Sequence, residues 1–222
     1  MYKFKQKLRS FFFGRRSAEK DVFSRIYSDG GWHRAESRSG SGSTLEQTQI
    51  IRKALPNLIR KYRIETMLDI PCGDHHWMQH VEFPDSLNYK GADLVEDLIA
   101  DNAKSFGAHN RTFVVTDIRC GPMPQVDLVF CRDCLVHFSF RDIILALGTI
   151  KKSRSVYLLT TTFPSRSDNA DIKTGDWRPI NLQLPPFELA KPIDILNEAC
   201  TENGGAYSDK SLGLWRIEEL PE

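Results

Sequence analysis

The chain has 222 residues, 41% of them hydrophobic, enough to bury the core of one full-sized domain. A net charge of +1 provides no overall field toward nucleic acid, and no nucleic-acid partner is expected. Five cysteines, with no apolar stretch long enough for a signal peptide or a membrane span, point to reduced thiols and a cytoplasmic setting.

Residues 1–16 carry six basic side chains (Lys3, Lys5, Lys7, Arg9, Arg15, Arg16) and no acid, which leaves the remainder net acidic. Phe4, Leu8, Phe11 and Phe12 recur there at helical spacing. The arm reads as a frayed basic extension or as a weak peripheral contact with an anionic inner-membrane surface. Residues 22–27 suit a short helical or irregular segment. The Ser/Gly-rich stretch 37–43 is either a mobile connector or, with Ser41, Gly42, Ser43 and Trp32, a lid over a ligand. Residues 1–43 therefore form an arm and lid, and 44–222 the main domain. Ser43 and Glu46 have capping-box spacing, and Leu45, Ile51, Leu55, Leu58 and Tyr62 make a helical stripe that Pro56 should kink or divide.

From Ile64 onward short apolar runs alternate with amphipathic segments, the pattern of βαβ units around a parallel sheet. Strands are predicted near 65–70, 88–93, 111–116, 126–131 and 155–161, and helices near 75–81, 95–105 and 140–151. Residues 164–187 are irregular and rich in Pro, Asp, Asn and Arg, as in a lid or binding loop. Two closing apolar runs, 192–198 and 212–217, flank Gly204-Gly205 and suit a terminal hairpin.

The carboxyl ends of the strands carry the chemistry. Thr66-Met-Leu-Asp-Ile-Pro-Cys-Gly-Asp74 runs from apolar residues into Asp69 and then a tight turn whose backbone N–H groups can approach a ligand closely. Asp93 follows Gly73 by 20 residues, about where a doubly wound fold places the carboxylate that binds ribose hydroxyls. The third run ends in Asp117 and the fourth in Arg132-Asp133. Four such ends in succession describe a nucleoside-type pocket. The turn lacks the glycine spacing that brings a pyrophosphate onto a helix N-terminus, which argues against a nicotinamide site.

Leu68-Asp-Ile-Pro-Cys-Gly-Asp74, Gly91-Ala-Asp93, Thr116-Asp-Ile118 and Asp127-Leu-Val-Phe-Cys-Arg-Asp133, in that order, resemble the motif set of class I S-adenosylmethionine-dependent methyltransferases over residues 64–217. Residues 36–43, Thr160-Thr-Thr-Phe-Pro164 and Gly175-Asp-Trp-Arg-Pro179 resemble small methyltransferases associated with bacterial polysaccharide and glycan loci. The first motif departs from the family, which has three alternate glycines where this chain has Pro71, Gly73 and His75. The resemblance implies a Rossmann-like α/β fold: a seven-stranded, mostly parallel sheet with helices on both faces and a terminal antiparallel hairpin. It also implies S-adenosylmethionine as cofactor. Asp69, Cys72 and Gly73 would border its methionine part, Asp93 its ribose, and Asp117 and Ile118 its adenine, with Arg132 completing the set. The acceptor would be a small molecule or glycan hydroxyl; a protein or nucleic-acid methyltransferase and a non-catalytic cofactor-binding scaffold are the alternatives.

In this family the loop after the fourth strand faces the transferred methyl, which makes His137 a candidate general base, with Asp133 the next candidate. The alternative for His137 is a hydrogen-bonded core histidine. Cys131, Cys134 and His137 lack a second ligand pair at zinc-finger spacing, and His76 and His80 read as surface or half-buried histidines, so no metal is expected. Trp177 and Arg178 place an aromatic face beside a guanidinium, suited to a sugar ring or phosphorylated acceptor, or else pack their loop onto the domain.

Overall fold

A computed structural model describes residues 22–30 and 36–221. The basic arm 1–16 and Trp32 lie outside the described residues. Residues 22–28 are helical (α1). Then come α2 (Gln49–Lys61), β1 (Thr66–Asp69), β2 (Asn88–Asp93), α3 (Glu96–Phe106), β3 (Arg111–Val115) and β4 (Leu128–Cys131). The chain continues with α4 (Phe140–Lys152), β5 (Tyr157–Thr162), β6 (Asp194–Asn197) and β7 (Ser211–Arg216). The seven strands form one sheet of order β3-β2-β1-β4-β5-β7-β6, parallel up to β5. The closing hairpin is antiparallel, and β7 inserts between β5 and β6. The α/β fold, its five parallel strands and its terminal hairpin are those expected from the alternation of apolar runs.

The sheet is covered on both faces, and β4 shows how. Leu128 and Phe130 point to one side, where Ile51, Leu55 and Ile59 of α2 meet them with Leu159, Leu212 and Leu214. Val129 and Cys131 point to the other, against Ile143, Ala146, Leu147 and Ile150 of α4 with Trp215. A strand buried on both faces must be apolar at every position, which is why 128–131 reads as an unbroken apolar run. Each such side chain contributes about 1.5–3 kcal/mol when fully buried.

Three local expectations are corrected. Ser43 and Glu46 form no capping box: residues 41–43 make a 3₁₀ turn, and α2 starts later, after Thr48, without a side-chain cap. Pro56 sits inside α2 without dividing it, because the buried stripe of Ile51, Leu55, Leu58 and Ile59 holds the helix on the sheet. The segment 75–81 is not an α-helix. Only Met78–His80 form a 3₁₀ turn, since His75 takes a left-handed backbone (φ 56°) that a right-handed helix cannot include.

Candidate functional site

The turn after β1 is a backbone cradle. Gly73 has φ 53°, and a Cβ built there would lie 2.4 Å from Ser39 Oγ, so only glycine fits. Its N–H donates to Asp93 Oδ2 at 3.2 Å, while Val95 N–H donates to Asp93 Oδ1 at 3.1 Å. The two successive strand ends are thereby joined at one carboxylate. Burial raises the Asp93 carboxyl, and the N–H donors of Val95 and Gly73 oppose that rise.

Asp69 is buried beside it. Burial pushes its carboxyl up to about 8, although the Tyr89 hydroxyl donates to it. Tyr89 Oη in turn lies 3.3 Å from His75 Nδ1. His75 is 2% exposed, meets the rings of Tyr89, Phe106 and Phe113, and its Nε2 has no hydrogen-bond partner among the described residues. Burial accordingly depresses the imidazole to about 4.

Asp69, Cys72, Gly73, Asp93, Asp117, Ile118, Arg132, Asp133 and His137 all line one cleft at the carboxyl ends of β1–β4, a space of about 1110 Å³ with its open mouth included. Several of these side chains are already engaged. Asp117 is bound by Arg119 through both oxygens at 2.9 Å; burial favours its neutral form, but this guanidinium outweighs that and holds the carboxyl below its usual range. Arg132 is buried against Glu198 (2.7 Å), lies 3.2 Å from Asp133 and donates to the Gly42 carbonyl at 2.9 Å. Asp133 accepts from Lys210 Nζ at 2.6 Å. Burial works to raise Asp133, yet Arg132 and Lys210 keep it down at about 2, so it is a fixed anion and a poor proton acceptor at neutral pH.

His137 follows on the 3₁₀ turn Leu135–His137. Its Nδ1 is 2.9 Å from the Asp176 carbonyl oxygen, which can only accept. In the neutral ring the proton therefore sits on Nδ1, and Nε2 is the basic nitrogen. Burial lowers the imidazole below its ordinary value, against the raising influence of the Asp176 carbonyl and of Asp133.

Trp177 and Arg178 are not among the cleft-lining residues. Trp177 is 40% exposed and packs edge-on to Tyr207 (4.8 Å between centroids) and Phe163. Arg178 is buried and its guanidinium is spent on the carbonyls of Ala170, Leu135, Val136 and Phe138. It holds its own loop and presents no donor fork to an acceptor.

Several lining residues escaped the sequence reading. Phe23 and Tyr27 wall the cleft from the N-terminal side, beside Arg38 and Ser39 of the stretch expected as a connector or lid. The segment 36–43 is docked over the turn: Asp74 accepts from Ser37 Oγ (2.9 Å), Arg38 N (2.7 Å) and Ser39 Oγ (3.0 Å). At its other end Ser41 donates to Glu202 and Gly42 accepts from Arg132. The clustered serines were the available signal. Lys210 and Glu198 come from the closing hairpin and left none. Asp74→Ala should release this segment: backbone hydrogen exchange over 36–43 is expected to quicken at least tenfold while the sheet keeps its protection. Equal exchange in both proteins would place the docking elsewhere.

No family model and no curated protein matches the chain. Among solved structures, the human N-acetylserotonin methyltransferase in complex with S-adenosylmethionine aligns with a TM-score of 0.53 at 14% identity, over 88% of this chain and 58% of that one. The magnesium protoporphyrin IX methyltransferase of Synechocystis PCC 6803 aligns at 0.48 and 14% identity, over 69% and 80%. An amino pentose methyltransferase from Micromonospora echinaspora aligns at 0.41 and 17% identity, over 50% and 48%. The chain thus spans about half of the length of two of these three proteins. What the likeness to the human structure shows is the architecture: this is the Rossmann-like methyltransferase fold, a seven-stranded mixed sheet closed by an antiparallel hairpin.

Proposed function

We propose that the chain is an S-adenosylmethionine-dependent methyltransferase whose acceptor is a hydroxyl of a sugar, glycan or related small metabolite. The observation that carries the reading is Asp93, a buried carboxylate at the end of β2 that lines the cleft and is braced by the Gly73 and Val95 N–H groups. The residues present fit a cationic nucleoside. Asp69 and Asp93 are both raised by burial, so an entering cation relieves an electrostatic cost already present, and Leu94, Val95, Leu98 and Ile118 supply apolar walls. When bound, the cofactor supplies an electrophilic methyl group. Asp93 would hold the ribose hydroxyls, Asp69 and the Cys72-Gly73 backbone the methionine part, and Asp117 and Ile118 the adenine, with the Asp117 carboxylate shared with Arg119. His137 would take the acceptor's hydroxyl proton at Nε2. Asp133, ionised and braced by Lys210, would stabilise the imidazolium that results. Trp177 lies outside the cleft lining; its exposed face, two residues from the Gly175 that donates to the His137 carbonyl, would meet a sugar-sized acceptor only where that acceptor extends beyond the cleft. Residues 36–43 would act as the lid, sealing the cleft when the ligand is in place.

Asp93→Ala removes charge-assisted hydrogen bonds to the ribose, each about 1–3 kcal/mol. Calorimetry should show affinity for S-adenosylmethionine at least tenfold weaker, with the circular-dichroism spectrum unchanged. An unaltered affinity would mean that the acid does not touch the cofactor.

A further inference from the structure

Arg178 is a buried cation whose hydrogen bonds all go to neutral carbonyls. Nη1 donates to Leu135 O at 3.0 Å and Val136 O at 2.9 Å, Nη2 to Phe138 O at 2.8 Å, and Nε to Ala170 O at 3.1 Å. Three of these four carbonyls belong to the turn that carries His137. That turn has one 3₁₀ revolution, with the His137 N–H bonded to Cys134 O and the Phe138 N–H to Leu135 O, too little internal structure to orient a side chain alone. The loop containing Arg178 supplies the remainder. Gly175 N–H donates to His137 O at 2.9 Å, Arg178 N–H to Val136 O at 3.1 Å, and the Asp176 carbonyl meets His137 Nδ1. One planar fork thereby ties the turn to the carbonyl that sets the histidine's proton.

We infer that Arg178 is a positioning residue for His137: its guanidinium clamps the 135–138 turn to the 170–178 loop, so that the Asp176 carbonyl holds the imidazole as the Nδ1–H tautomer with Nε2 as the base. The inference rests on the reading of His137 as the base for its consequence in catalysis, and on the hydrogen bonds alone for the tautomer. It also accounts for the residue type. A lysine carries its three donors on one nitrogen and cannot span carbonyls on four residues, whereas the guanidinium spreads five donors over a fixed plane. Burying a cation among carbonyl dipoles is costly: burial lowers the Arg178 side chain to about 10, against the raising influence of the Asp171 carboxylate. A fold that needed only to fill this space could use an apolar residue.

The test is nitrogen-15 NMR of the full chain labelled at its histidine rings, with the His137 signals assigned by their loss in His137→Gln. The wild-type ring is expected as the Nδ1–H tautomer. In Arg178→Lys and in Arg178→Gln the ring should become a mixture, with Nε2–H populated to about a third or more. With an acceptor in hand, both variants should lose at least tenfold in kcat while KM for S-adenosylmethionine stays within twofold. A wild-type Nε2–H tautomer, or variants with the wild-type tautomer, would overturn the inference. So would loss of the fold in both variants, which would make Arg178 a core residue only. A shifted tautomer with undiminished kcat would leave the clamp standing and remove His137 from the chemistry, so the two readings fail separately.

Discussion

Replacing His137 by alanine should lower kcat for a hydroxyl acceptor by about 10²–10⁴-fold, the usual size of a general-base contribution. Cofactor affinity should change little, because Asp93, Gly73 and Ile118 would hold the nucleoside independently of this side chain. The pH profile gives the sharper check. The base works unprotonated, so the wild-type rate should rise with pH along a limb centred below 6.5, since burial lowers this imidazole from its ordinary value. The variant should lose that limb. Asp133 cannot take over, because Arg132 and Lys210 hold it ionised. A folded variant with wild-type turnover would show that alignment of the reactants alone carries the transfer. Finding the acceptor comes first, by screening nucleotide-activated sugars and glycan fragments with labelled S-adenosylmethionine.

His75 should make one part of the fold's stability sensitive to acid. Its imidazole titrates at about 4 when folded and near 6.5 when unfolded, so between these values the unfolded chain binds the extra proton. The contribution is fully present above pH 6.5 and is lost as pH falls toward 4, about 3 kcal/mol in all. Asp69 works in the opposite sense. Its folded value of about 8 exceeds the unfolded one, so the native state binds the extra proton and stability from this group declines as pH rises through 4 to 8. The His75 part is isolated by difference. Urea unfolding of wild type and His75→Phe at pH 7 and pH 4.5 should show the wild type losing at least 2 kcal/mol more than the variant across that interval. Parallel losses would mean that the buried ring is not what acid attacks.

These residues show what could be read from sequence. The parallel strands were visible because burial on both faces demands unbroken apolar runs, and the acids at their ends stand out against those runs. Asp69, Asp93, Asp117 and Asp133 each sit beside their own strand, so a local pattern located them in the cleft. The acidic ends said nothing about who already held them. Arg119 lies two residues from Asp117, but Lys210 reaches Asp133 from 77 residues away and Glu198 reaches Arg132 from 66. Arg178 looked like a ligand-binding fork because a guanidinium beside a tryptophan has the same sequence whether it faces solvent or four carbonyls. The absent helix at 75–81 has a different origin. One residue with positive φ ends a helical pattern, and histidine gives less warning of it than glycine would.

The insertion of β7 between β5 and β6 sets an order of events for the newborn chain. Residues 210–216 are made after almost everything they touch. Until they leave the ribosome, Tyr157–Thr162 presents an open, apolar, threonine-rich edge, and Asp133 lacks the ammonium group that fixes it. The cleft can therefore be completed only after residues 210–216 have been made. A nascent chain stalled short of residue 210 would hold the five parallel strands β1–β5 with the β5 edge unpaired, an edge open to pairing with another chain.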